Sequence, residues 1–430
     1  MGKRYSWLLT IGLSTYVALF IIRDIIQINI PGAIFMAWFV GILLLLPRSE
    51  MMKAIFFIMP FAGGVPGYTI LLSLFVLILK SKKLCIWQII PPAIIALLEF
   101  TNVAFYDFDI RFQSVISYIG FVALFFFTLF DKDSSTDIKA CLRFFCYGTV
   151  ITLLIVYIPI ILNHGILSLI AGEVRSGFAM GYEDNDAIKG HLAMNANTIA
   201  YFSISLLSLL LLGRKTLIIK SKLLYLFAVL VVATAGILSF SRTWLLLTAI
   251  IIILYVINSK HRTVAIILVI ITSSIIITTQ NIVVESISSA FKTRMEDETL
   301  KTGGGRFDIF IEYNRVWSEK INHIAIGTGA THYGQVIEHN HSMHNGLQQI
   351  WVCHGIIGFL IFAAAFVHYF RRYRNKHIQF TYYLPFIACF IFDQSIQFLV
   401  PYTLMFPFIP TLYVLRLNAE PARTTLPNPS

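Results

Sequence analysis

Apolar residues run through this chain in long blocks separated by short polar stretches, and the blocks have the length that a lipid bilayer demands. A helix needs about 20 apolar residues to cross the hydrocarbon layer, and fewer where the layer is thin or distorted. Such blocks run Tyr5 to Ile22, Pro31 to Leu46, Lys53 to Gly63, Tyr68 to Leu79, Cys85 to Phe105, Ser114 to Phe130 and Ala140 to Leu162. They continue at Leu192 to Leu212, Leu223 to Phe240, Trp244 to Ile257, Val264 to Thr279, Leu347 to Phe370, Thr381 to Phe398 and Tyr402 to Leu415. The pattern predicts an all-α polytopic membrane protein of about 14 transmembrane helices (12–14), forming a single transmembrane domain over residues 1–430. The third and fourth blocks flank Gly63-Gly64-Val65-Pro66-Gly67. They read as two short spans or as one broken helix, since glycine and proline are tolerated where neighbours satisfy the freed backbone groups.

Two polar stretches stand out between the blocks. Residues 163–191 predict one loop, and residues 280–346 a long, partly helical one; the tail 418–430 reads as disordered. Positive charge orients them. With fourteen spans, Lys80, Lys82 and Lys83, then Arg214, Lys215, Lys220 and Lys222, then Lys260 and Arg262, and finally Arg371, Arg372, Arg374 and Lys376 share one side, which the positive-inside bias makes the cytoplasm. Both termini are then cytoplasmic, and both polar loops face outward together with the Ser241-Arg242 corner.

Composition sharpens this reading. A hydrophobic share of 57%, a charged share of 13% and a mean hydropathy of +0.77 exclude an ordinary soluble domain. The net charge of +11 does not point to nucleic acid, because most of the basic residues sit in the short loops just named. None of the five cysteines lies in a long polar loop, so no disulfide framework or thiolate metal site is expected. The first block follows Lys3 and Arg4 but has no small-residue cleavage site, and reads as a retained span.

Chemistry is to be sought in the long loop, whose segment from Gly303 to Gly346 holds five of the eleven histidines. Gly303, Gly304 and Gly305 precede apolar residues at Phe307, Phe310, Ile311 and Trp317, which is helical spacing and puts Arg306 in a first turn. A helix N-terminus disfavours a cation, yet its unpaired N–H groups and an arginine fork together suit a phosphate. Next comes His339-Asn340-His341-Ser342-Met343-His344-Asn345, immediately before an apolar block, so His344 is expected at the outer boundary as a general base. A metal site on His339, His341 and His344 and plain solvated histidines are the other readings of this cluster. Arg242 is a lone cation between two apolar blocks on the outer side, either functional or snorkelling to headgroups. Arg175 and Asn197 add a cation and an amide able to contact phosphate or sugar. The pairs Asp107/Asp109 and Asp184/Asp186 read as solvated loop acids.

These pieces together resemble the O-antigen ligase and polymerase family. The resemblance rests on SFSRTWLLL around Arg242, GGGRFDIFIEYNRVW opening at Arg306, IGTG with Gly327 and Gly329, and HNGLQQIWVCHGIIGF from His344. It covers roughly Gly177 to Leu360, and departs from relatives at Cys353-His354, where an acidic residue is often found. It implies a GT-C-like, inverting, metal-independent glycosyltransferase of the bacterial inner membrane, acting on its periplasmic face without a cofactor. Arg242 and Arg306 would hold the diphosphate of an undecaprenyl-diphosphate-linked oligosaccharide, and His344 would act on the acceptor hydroxyl. Arg175, Asn197, His341 and Asn345 would supply further substrate contacts. Membrane lipid and a chain-length regulator are the other implied partners. A polymerase would pass the growing glycan to a lipid-linked repeat unit, and a ligase would pass it to lipid A-core; fourteen spans and two substantial outer loops favour the polymerase. A flippase would instead show internal repeats and acids near mid-membrane, whereas the main acids within spans are Glu99, towards an end, and Asp393.

Overall fold

In the computed structural model, the described residues are 2–81, 83–105, 112–131, 137–170, 196–211, 221–239, 241–258, 306–331, 345–373 and 412–417, with single positions at 192, 194, 219, 333, 343 and 409. Every regular element among them is helical. The apolar blocks become α1 (Gly2–Phe20), α2 (Gly32–Leu45), α3 (Arg48–Ile58), α4 (Gly67–Leu79), α5 (Ile86–Phe105), α6 (Phe112–Leu129) and α7 (Ile138–Ile170). Then follow α8 (Ala196–Leu211), α9 (Lys222–Leu238) and α10 (Arg242–Asn258). The long polar stretch contributes α11 (Arg306–Glu319) and α12 (Ile321–Ile326), and α13 (Gly346–Arg372) closes the set named here.

Each expected span from Tyr5 to Ile257, and the one beginning at Leu347, falls on one of these helices. By length and composition, Tyr5–Ile25, Ile86–Phe105, Ile138–Leu169 and Gly346–Arg372 can cross a membrane, and α2, α6, α8, α9 and α10 are shorter apolar helices. The expected spans Val264 to Thr279 and Thr381 to Phe398, on which the count of fourteen depends, lie outside the described residues. The first eight residues of the 163–191 stretch continue α7 past a break at Gly165, where φ is 79°.

Hydrogen bonds between loop ends show which helix ends lie together. At one end of the bundle Lys80 donates to the carbonyls of Leu43, Leu44 and Leu46 at 2.9, 2.7 and 2.6 Å, closing the C-terminus of α2. Arg48, first residue of α3, bonds Ser81 and reaches Asp131 at 2.7 Å, while Arg416 donates to the Asp131 carbonyl. Cys85 and Gln88 meet the end of α6 through the carbonyls of Phe130 and Phe127. The ends of α2, α4 and α6 and the starts of α3 and α5 therefore share this basic end.

Far from it, Arg23 is clamped by Asp24 at 2.8 Å, donates to the Gly64 carbonyl at 2.7 Å and lies over the rings of Phe20 and Phe35. The stretch 48–80 thus leaves the basic end, turns through the 3-10 segment Met59–Gly64 beside the end of α1, and returns. One broken helix cannot begin and end on the same side, so α3 and α4 are a hairpin. Tyr16, Phe20, Phe35, Phe39 and Phe61 fill its flank with edge-on and tilted ring pairs 4.7–6.4 Å apart. Between helices in lipid, such close packing supplies the association energy that water would otherwise drive.

Candidate active site

The helix α13 is made of two pieces that meet at Gly355, and the longer one, residues 356–372, is about 25 Å long. Its basic end is fixed by His368, stacked on Trp87 at 4.8 Å, and by Tyr369, which donates to the Leu412 carbonyl. The break itself lies beside Glu99, about 20 Å along α5 from that basic end, so the N-terminal piece of α13 belongs to the opposite half of the bundle. Asn345 caps that N-terminus, accepting from the Gln348 amide at 3.0 Å. The first turn carries Gln348 and Gln349, both buried.

The helix is broken at Gly355, with φ 63° and ψ −167°. The break frees the carbonyls of Val352 and Cys353, which would go unpaired in an apolar surround at a cost of several kcal/mol each, of order 2–7. The chain from α12 satisfies them. Thr328 and Gly329 donate their amides to Val352 and Cys353, both at 2.9 Å, and the Thr328 hydroxyl adds a bond to Val352 at 3.2 Å. This interlock needs glycine on both sides. A Cβ on Gly327 (φ 82°) would lie 2.2 Å from the Cys353 carbonyl oxygen, and one on Gly355 would lie 2.4 Å from the Ala325 carbonyl group. The Ile326-Gly327-Thr328-Gly329 motif is thus a clasp seated in the broken helix, and residues 327–330 are buried.

From α5, Glu99 completes the clasp. Its carboxylate accepts the Ala330 amide at 2.7 Å and hydrogen bonds from the amide and hydroxyl of Thr331. One turn on, Asn102 donates to the Ile326 carbonyl at 3.2 Å. On the other side of Glu99, His354 places Nδ1 3.4 Å from the carboxylate and bonds Tyr118 of α6 through Nε2. All three side chains are buried.

Two bonds join α11 to α13. Gln348 donates to the Phe310 carbonyl at 2.7 Å, and the Trp351 indole donates to Asn314 Oδ1 at 3.0 Å, with the rings of Phe310 and Trp351 edge to face. Residue numbers rise together across these contacts, by four on α11 and three on α13, so the helices run parallel here. The offsets are 38 and 37. Carried one turn back at 1.5 Å per residue, that register sets the Arg306 backbone close to the level of the Asn345 cap. Below it Tyr313 is buried beside Tyr333, 5.8 Å between ring centroids, and burial first and Tyr333 second push its hydroxyl pKa up. The opposite face of α11 is charged, Arg315 pairing with Glu312 and Glu319 at 2.7 and 2.8 Å.

The residues expected from sequence are therefore placed unequally. Arg306 is the first residue of α11, Asn345 is the cap of α13, and Asn197 is the second residue of α8. Arg242 opens α10 directly after a tight corner in which Trp244 packs over Gly236. That corner lies near Ala235, whose carbonyl accepts from Tyr157, about 28 Å along α7 from its start at the basic end. Arg242 and Arg306 thus begin helices at the same end of the bundle. Arg175, His341 and His344 lie outside the described residues, as do His339 and the two aspartate pairs. Sequence reasoning passed over Gln348, Trp351, Asn102 and Tyr118; an acid in an apolar span was the available signal for Glu99.

The family model described as O-antigen ligase matches residues 226–363, about a third of the chain. No curated protein and no solved structure matches this chain. The matched stretch begins in α9 and takes in Arg242, α11, the clasp and the first two thirds of α13, and over it the chain is similar to the O-antigen ligase family.

Proposed function

We propose that this membrane protein is a polymerase of O-antigen or a related surface polysaccharide. It transfers an undecaprenyl-diphosphate-linked glycan onto a lipid-linked repeat unit at the periplasmic face of the inner membrane, with inversion and without a metal. The observation that carries the reading is the parallel register of α11 and α13 within the matched region. It sets the N-termini of two helices side by side at the end of the bundle where α10 also begins.

Such an arrangement is an anion seat in its own right. Two parallel N-termini aim unpaired N–H groups and positive dipole ends at one place, and the arginines that begin α10 and α11 add charge there. A diphosphate held by Arg242 and Arg306 is a neutralised leaving group, so no metal is called for. His344, next to the Asn345 cap in the chain, takes the proton from the attacking hydroxyl of the acceptor sugar as it displaces the diphosphate at the anomeric carbon. Arg175, Asn197, His341 and Asn345 contribute sugar or phosphate contacts around that centre.

Deletion of the gene followed by lipopolysaccharide electrophoresis tests this reading. A single capped repeat unit is the expected outcome. Loss of all O-antigen would assign the chain as a ligase acting on lipid A-core, and an unchanged ladder would refute both.

A further inference from the structure

We propose that Glu99 is the buried anchor of the clasp and, through it, a positioning residue for glycan transfer, holding α11 and α13 in register without touching substrate. The positioning part rests on the function proposed above; the anchoring part does not. The carboxylate stands at the one place where α5, the 326–331 turn and the break in α13 meet. It accepts two backbone amides and a hydroxyl from the turn, and it faces His354 at the break itself. A carboxyl group offers two acceptor oxygens and so can meet several donors of the turn at once. Removing it leaves the buried Ala330 amide without its acceptor from α5.

Among the described residues, the turn is attached at two further places. Its bonds to Val352 and Cys353 tie it to α13, and Asn102 ties Ile326 to α5. Since α12 leads directly out of α11, a turn that slips along α13 carries α11 with it. The Gln348–Phe310 and Trp351–Asn314 bonds then lose their offset. Misplacement of about 1 Å at a reacting centre lowers turnover by as much as ~100-fold.

Cys353 provides a readout independent of catalysis. It is buried beneath the clasp, and its carbonyl receives the Gly329 amide. In a chain whose other four cysteines are replaced by alanine, a membrane-permeant maleimide should label Cys353 slowly while Glu99 is present. Glu99→Ala should raise the labelling rate by about tenfold or more, and Glu99→Gln, which keeps one acceptor oxygen and the side-chain volume, should raise it less. In reconstituted glycan transfer the same variants should lower kcat by ~10 to ~100-fold with KM changed far less. If Glu99→Ala fails to insert, Glu99→Gln alone carries both measurements. Unchanged labelling in the variants overturns the anchor, whatever the activity. Increased labelling with wild-type kcat, or an effect confined to KM, overturns the positioning role. A wild-type protein without transfer activity refutes the function proposed above, and with it the positioning role, while Cys353 labelling still decides the anchor.

Discussion

Gly355→Ala is the substitution for which the geometry gives the most definite expectation. At φ 63° and ψ −167° the backbone occupies a region that only glycine visits freely, and an alanine there costs about 1–3 kcal/mol in torsional strain. The added Cβ would also lie 2.4 Å from the carbonyl carbon and oxygen of Ala325 and 2.6 Å from the Ile326 nitrogen. These are backbone atoms with no flexible side chain to give way, so overpacking adds a further ~1–3 kcal/mol. Two other glycines separate the contributions. Gly165 has φ 79° but open space around its Cβ position, so Gly165→Ala should cost the torsional part alone, ~1–3 kcal/mol. Gly41 sits inside α2 with nothing near and no unusual torsion, so Gly41→Ala should be neutral or stabilising by up to ~1 kcal/mol. Unfolding of the three variants by SDS titration in mixed micelles, followed by circular dichroism, should rank them Gly41, Gly165, Gly355 in increasing loss. A Gly355→Ala protein no less stable than Gly165→Ala would refute the close seating of the clasp in α13.

Other outcomes test the remaining parts. Arg306→Ala and His344→Ala should insert normally yet lose transfer in membranes assayed for polymer, and retained activity in both would end the proposed mechanism. Chelator added to purified protein should leave turnover unchanged, whereas inhibition reversed by added zinc would favour a metal on the histidine cluster. Trp351→Phe removes the indole bond to Asn314 and should destabilise by about 1 kcal/mol. Asp131→Ala should be more damaging, about 1.5–3 kcal/mol, because it removes a charge-assisted bond to the half-buried Arg48 guanidinium. In that background Arg48→Met should recover part of the loss in the same SDS titration.

Much of the helical framework could be read from the sequence because it follows from block length and apolarity alone. Block edges between Tyr5 and Ile257 agree with the helices to within a few residues, apart from the extension of α7 past Gly165. The α3–α4 ambiguity could not be resolved that way, since glycine and proline punctuate a hairpin and a broken helix alike. It is decided by Lys80 and Arg48 meeting at one end and Gly64 meeting Arg23 at the other. The start of α11 was legible, with three glycines followed by helical spacing, but its register against α13 was not. That depends on two side chains, Gln348 and Trp351, whose partners lie nearly forty residues away. Nor could a glutamate in an apolar block announce that it would be met by backbone amides. The Ile326–Gly329 motif looked like part of a solvent-facing excursion because it sits within the long polar stretch, yet its own residues are small or apolar and it is buried.

The bond from Glu99 to Ala330 also orders assembly in time. The carboxylate is made 231 residues before the amide it receives. At a synthesis rate of about 5–20 residues per second, α5 waits roughly 10–50 s for its partner. Throughout that interval the first helices can insert and pack around Tyr16, Phe35 and Phe61, but no clasp exists. A chain that stalls or is cut before residue 330 can therefore hold an N-terminal bundle and still have no register between α11 and α13, and competence arrives only once α13 has been made.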